Sequence, residues 1–196
     1  PRGRVLDDRV SAPASLPGVA LESLRRQVER RVQVDERDAA ALEQHLEAAW
    51  QAKVPELPYK DKNELLIMAS IIEKETNDPK DRTKVASVFV NRQRIGMRLQ
   101  TDPTVIYGLG EKFDGNLTRA HLQSDTAYNT YTRAGFPPTP IAMPGRASLD
   151  AAANPATSKL MYFVARGDGS SEFSETLDAH NRAVAKFQLK KLRASA

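Results

Sequence analysis

The chain has 196 residues, with 29 Lys and Arg against 25 Asp and Glu for a formal charge of +4, three His and no Cys. With 40% hydrophobic and 28% charged residues it holds enough apolar material for a core, which argues against global disorder. The missing cysteine excludes a disulfide framework, a Cys-ligated metal and a thiol nucleophile; dispersed His argue against a metal centre, and a mild positive excess without a clustered basic patch argues against nucleic acid.

Residues 1–34 read as an arm or linker, interrupted by Ser11-Ala12-Pro13-Ala14-Ser15-Leu16-Pro17-Gly18. No run approaches the ~18 apolar residues of a membrane span, and the start lacks the basic-then-apolar order of a signal peptide, so any anchor is expected outside this chain. The main domain is expected over 35–196. Asp35 is placed as the N-cap of a helix carrying Ala39, Leu42, Leu46, Ala49 and Trp50, which Pro55 and Pro58 end. Asp61 followed by Glu64 predicts a capping box, and the helix it opens is apolar nearly all round, as in a buried helix. Asp78-Pro79 opens a second helix through Val85, Val88, Phe89 and Arg92 that stops at Gly96, giving a helical hairpin. Gly, Pro, Thr, Asn and Tyr dominate 97–148, which reads as loops lining a cleft, with short strands at runs such as Val105-Ile106-Tyr107. A strand over 160–165, a turn through Arg166-Gly167-Asp168, a second strand over 172–174 and a closing helix through Leu177, Val184 and Phe187 complete an α+β domain.

Two groups of residues can carry chemistry. Glu73 and Glu75 end the most apolar helix, where partial desolvation raises a carboxyl's pKa and keeps a general acid protonated near neutrality. Both could equally face solvent or pair with Lys74 and Lys80, and the helical wheel does not choose between them. The second group is Gln100, Thr101, Asp102 and Thr104, with Tyr107, and Tyr128, Asn129, Thr130 and Tyr131 further on. Amides, hydroxyls and aromatic faces suit a sugar polymer, and the same residue types also serve ordinary turns. Asp102 can act as the second carboxylate of a glycosidase pair. His180, on the closing helix, is either a packed residue or part of a site wall. Lys186, Lys190, Lys191 and Arg193 read as a solvated face near a helix C-terminus.

The stretches Ala69-Ser70-Ile71-Ile72-Glu73-Lys74-Glu75-Thr76, Val85-Ala86-Ser87-Val88-Phe89-Val90-Asn91-Arg92 and Arg94-Ile95-Gly96-Met97-Arg98-Leu99-Gln100-Thr101-Asp102-Pro103-Thr104 resemble the MltG (YceG-like) endolytic murein transglycosylases of bacteria. Tyr128-Asn129-Thr130-Tyr131, Gly135-Phe136-Pro137-Pro138, Ile141-Ala142-Met143-Pro144-Gly145, Tyr162-Phe163-Val164 and His180-Asn181 continue the resemblance in order, from about Tyr59 to about Leu189. It implies a YceG-like domain whose helical hairpin carries the catalytic glutamate. It also implies a lyase, working without a cofactor, that cuts nascent peptidoglycan strands between N-acetylmuramic acid and N-acetylglucosamine and leaves 1,6-anhydro-muramyl ends, limiting strand length. The resemblance carries the catalytic role to Glu73 and leaves Glu75 a supporting or structural one. It implies glycan strands as substrate, peptidoglycan synthases as partners, and a place at the bacterial inner membrane with the catalytic domain facing the periplasm or wall. Members of the family begin with a cytoplasmic piece, one membrane span and a LysM-like region; residues 1–34 match none of these, so a catalytic portion alone is expected. The rival readings are a hydrolysing muramidase that pairs Glu73 with Asp102 or Glu111, and a non-catalytic peptidoglycan-binding module.

Overall fold

The computed structural model describes residues 38–194, with side chains as far as Phe187; the 1–34 arm, Asp35 and the side chains of Lys190, Lys191 and Arg193 lie outside the described residues. Contacts divide the chain after Ala41, and the unit from Leu42 onward is the one that carries the fold.

Helix α1 (38–51) lays Leu42, Leu46 and Trp50 against the core and buries Ala49, as their spacing predicts. Helix α2 (Lys62–Glu75) starts where Asp61 accepts a hydrogen bond from the Glu64 amide at 2.9 Å. Glu64 reaches back to the amide of Lys60 (2.7 Å), one residue beyond the partner a strict capping box would use. Leu65, Ile67, Met68, Ala69, Ser70, Ile71 and Ile72 are all buried, because α2 is covered by α3 (Pro79–Arg94), α4 (Asp102–Leu109) and α6 (Arg146–Ala153). Asp78 caps α3 through the Lys80 amide at 2.9 Å with Pro79 at its first turn, and the helix ends into Gly96 at φ 70°, a left-handed position natural to glycine.

The stretch expected as loops with short strands differs. Val105-Ile106-Tyr107 lies inside α4, with Pro103 in its first turn, and is followed by a 3₁₀ turn (Gly110–Lys112) and the short helix α5 (Arg119–Gln123). A three-residue apolar run has no period of its own, and here the Pro at the helix start decided its form. The remaining loops between α5 and α6 are pinned by side chains, as described below.

Strands β1 (Tyr162–Ala165) and β2 (Ser171–Ser174) pair antiparallel in the register Tyr162↔Ser174, Phe163↔Phe173, Val164↔Glu172 and Ala165↔Ser171. Arg166-Gly167-Asp168 forms their turn, closed by the Arg166–Glu172 ion pair and by Asp168 accepting from the Ser170 amide at 2.9 Å. Phe163 meets Phe89 of α3 edge-on at 5.8 Å and Phe173 at 5.9 Å, fastening the hairpin to the helical core. Helix α7 (Leu177–Ala194) packs on both strands. The result is an α+β domain in which the ends of α2 and α3 meet the start of α4, the hairpin and α7.

Candidate active site

A cleft of about 510 Å³ opens where these elements converge. Glu75 comes from the end of α2, Arg92 from the end of α3, Gln100 and Asp102 from the start of α4, Tyr131 from the following loops, Tyr162 from β1 and His180 from α7.

Residues two positions apart on a helix differ by about 200° in direction, so Glu73 and Glu75 face different surroundings. Glu73 turns to the N-terminus of α6, where its Oε2 accepts from the Gly145 amide at 3.1 Å and from the Ser148 hydroxyl at 2.5 Å. Gly145, the N-cap of α6, has no side chain to offer, and a carboxylate from α2 takes its place beside the positive end of that helix. Glu73 is not among the residues lining the cleft; Glu75 is. The family resemblance names Glu73 as the catalytic carboxyl; the structure places Glu73 at the start of α6 and Glu75 at the cleft.

Glu75 is half-buried, and burial of its carboxyl pushes its pKa up to about 7. A hydrogen bond from the Thr101 hydroxyl opposes the rise, the charge of Asp102 adds to it, and the Arg92 guanidinium opposes it. Thr101 is the N-cap of α4, yet its hydroxyl caps no amide there and is turned to Glu75 instead. A carboxyl half-protonated near neutrality and open to a cleft can give a proton to a leaving oxygen and take one back.

The other expected residues divide into those that face the cleft and those that hold it. Gln100 lines it from a left-handed backbone (φ 53°) that its amide fixes by donating to the Thr130 carbonyl at 3.2 Å. Asp102 and Tyr131 line it together, the Tyr131 hydroxyl donating to Asp102 Oδ1 at 2.5 Å; burial and this bond hold the Tyr131 pKa above its ordinary value. Thr104, Asn129 and Thr130 are buried and serve the scaffold. Thr104 and Thr130 share a hydroxyl–hydroxyl bond of 2.8 Å, and Thr130 accepts from the Thr101 amide at 3.1 Å. Asn129 donates to the carbonyls of Ser124 (2.6 Å) and Leu122 (3.1 Å) and accepts from the Tyr131 amide (2.8 Å). Tyr128 stands beside them, its ring against Tyr107 at 4.8 Å and its hydroxyl 2.8 Å from Thr139. His180 stacks on Tyr162 at 5.2 Å and lines the cleft from α7; burial and then the Arg92 charge hold its pKa below the usual imidazole range.

Sequence reasoning missed Arg92 and Tyr162 as site residues. The signal for Arg92 was an arginine in step with Val85, Val88 and Phe89 on the apolar face of α3, where a cation is buried only with partners. Tyr162 had none, since a strand-borne tyrosine reads as core.

A cleft holding one perturbed carboxyl, a second carboxylate and aromatic and hydrogen-bonding side chains is suited to proton transfer at a polar substrate. Residues 22–186 match the YceG-like family, and the chain belongs to that family. It is 45% identical over 125 residues to the endolytic murein transglycosylase of Bacillus subtilis (strain 168), a match covering 64% of this chain and 34% of that protein. It is 33% identical over 136 residues to the endolytic murein transglycosylase of Streptococcus pneumoniae serotype 2 (strain D39 / NCTC 7466), covering 66% and 24%. The chain therefore spans only a quarter to a third of the length of these relatives. The crystal structure of a yceG-like protein from Listeria monocytogenes matches with a TM-score of 0.59 at 46% identity, over 63% of this chain and 40% of that one. Among the described residues no helix is long and apolar enough to cross a membrane, and no group of three or more His, Cys, Asp or Glu could hold a metal ion.

Proposed function

We propose that this chain is the catalytic portion of an endolytic peptidoglycan lytic transglycosylase, and that its acid/base is Glu75 rather than Glu73. The observation that carries the reading is the Glu75 carboxyl, open to the cleft with a pKa near 7. Protonated Glu75 donates to the oxygen between N-acetylmuramic acid and N-acetylglucosamine as that bond breaks toward an oxocarbenium-like state. The carboxylate left behind accepts the proton of the muramyl C6 hydroxyl, whose oxygen attacks its own anomeric carbon and closes the 1,6-anhydro ring. One carboxyl performs both transfers, the nucleophile belongs to the substrate, and intramolecular attack has the advantage of proximity. Gln100, Asp102 and Tyr131 face the sugar; Thr101 orients Glu75; Thr104, Asn129 and Thr130 hold the loops in place, with Tyr128 packed beside them.

The substrate in this reading is the nascent glycan strand, with peptidoglycan synthases as partners at the outer side of the bacterial inner membrane. The division into an arm, 1–34, and a catalytic domain, 35–196, belongs to the same proposal. Asp102, lining the same cleft as Glu75, supports a second reading as a hydrolysing muramidase, which would leave reducing ends and incorporate solvent oxygen. The test compares Glu75→Gln and Glu73→Gln on un-cross-linked glycan strands. Glu75→Gln is expected to abolish cleavage and Glu73→Gln to retain it in the folded fraction; the reverse pattern would return the acid/base role to Glu73.

A further inference from the structure

Arg92 is the most buried cation of the cleft, with 7% of its surface exposed. Its Nε donates to the Met161 carbonyl at 2.8 Å, just ahead of β1, and its Nη1 donates to the Leu99 carbonyl, just ahead of α4. Its guanidinium lies 5.4 Å from the centre of the Tyr162 ring, which stacks on His180. Two bonds to carbonyls leave its positive charge without a hydrogen-bonded carboxylate, an arrangement that is costly to bury unless the charge is used.

We propose that Arg92 is the positioning residue of this site: its guanidinium clamps the end of α3, the segment before α4 and the start of β1 into one cleft wall, and keeps a fixed positive charge facing the cleft in which Glu75 gives up and regains its proton. The inference rests on Glu75 being the acid/base. The groups around Glu75 are few. On its own helix, Glu73 is engaged with Gly145 and Ser148 and Lys74 is exposed. From the neighbouring elements come the Thr101 hydroxyl, the Asp102 carboxylate, the Tyr131 and Tyr162 hydroxyls and His180, whose imidazole burial makes harder to protonate. Among the described residues that line the cleft, Arg92 is the one Lys or Arg. It opposes, in part, burial and Asp102, both of which favour the protonated carboxyl. Without it the carboxylate formed when the glycosidic bond breaks would stand in a desolvated cleft beside another negative charge, and Glu75 would become a weaker acid for the first transfer.

The experiment titrates Glu75 by carbon NMR in the full chain labelled at glutamate carboxyls, with the resonance assigned by its loss in Glu75→Gln. Arg92→Met is expected to move the midpoint upward from about 7 by about one unit or more, the effect of removing a nearby opposite charge. The alkaline limb of the cleavage profile is expected to move with it while the maximal rate falls. Arg92→Lys, which keeps the charge and loses the two-armed clamp, is expected to hold the midpoint within a few tenths of a unit while lowering the melting temperature. An unmoved midpoint in folded Arg92→Met, or a midpoint in Arg92→Lys displaced as far as that in Arg92→Met, would overturn the proposal. Should Arg92→Met not fold, Arg92→Lys decides alone, a midpoint near that of the native chain supporting the proposal and one raised by about a unit overturning it. Cleavage surviving in Glu75→Gln would instead refute the acid/base reading, a separate failure that the titration does not share.

Discussion

Replacing Glu75 by Gln is expected to stabilise the fold in a pH-dependent way while removing activity. Folding moves the Glu75 carboxyl from an ordinary value of 4.5 to about 7, principally by burial. Below pH 4.5 the carboxyl is protonated in folded and unfolded chains alike and costs nothing. Between the two values the folded chain holds a proton that the unfolded chain has released, so stability falls as pH rises, and above about 7 the folded state carries the whole penalty. A displacement of that size at ~1.4 kcal/mol per unit comes to about 3 kcal/mol, and nearer 2 with allowance for the solvent that reaches the cleft. Gln keeps an oxygen for the Thr101 hydroxyl and never ionises. For a domain of this size each kcal/mol is worth roughly 2–4 °C, so the variant is expected to melt about 4–12 °C above the native chain at pH 8 and close to it at pH 4. Thermal melts of the two proteins across that range, by circular dichroism, are the assay. A difference in melting temperature that does not change with pH would refute the reasoning, because a packing or hydrogen-bond effect of the amide has no reason to follow the titration of Glu75.

Glu73→Ala, in contrast, removes the acceptor that the Gly145 amide and the Ser148 hydroxyl share at the start of α6, and is expected to cost about 1–3 kcal/mol in denaturant unfolding. Asn129→Ala strands the carbonyls of Leu122 and Ser124 and the amide of Tyr131, and is expected to cost about 2–4 kcal/mol and to loosen Gln100 and Tyr131, read as a raised KM in the folded fraction. Gly96→Ala places a side chain at φ 70° where no neighbour would touch it, so the expected loss of about 1 kcal/mol in urea melts is purely conformational.

The helices were legible because each carried its own punctuation. Asp61 with Glu64, Asp78-Pro79 and Gly96 mark starts and stops that the backbone obeys, and an apolar surface all round α2 could only mean burial. The hairpin at Arg166-Gly167-Asp168 was equally local. Helix α4 was not, since Val105-Ile106-Tyr107 is too short to show a period and its Pro signal was absorbed into a loop reading. The site was legible as two stretches of sequence and not as a surface. Which of Glu73 and Glu75 meets the cleft depends on where α6 and β1 come to rest, far away in the chain, and neither the helical wheel nor the resemblance contained that information. Thr104, Asn129 and Thr130 look like sugar-binding residues by type; burial of the loop that carries them makes them part of its frame.

The central claim is that one cleft carboxyl, Glu75, moves the proton both ways while the substrate supplies the nucleophile. Mass spectrometry of the strand ends released from un-cross-linked glycan by the native chain, in water enriched in heavy oxygen, tests it most directly. The account predicts 1,6-anhydro-muramyl ends that carry no solvent oxygen and are absent with Glu75→Gln. Reducing muramyl ends labelled from the water would contradict it and give the nucleophile to water, with Asp102 as the carboxylate that activates it.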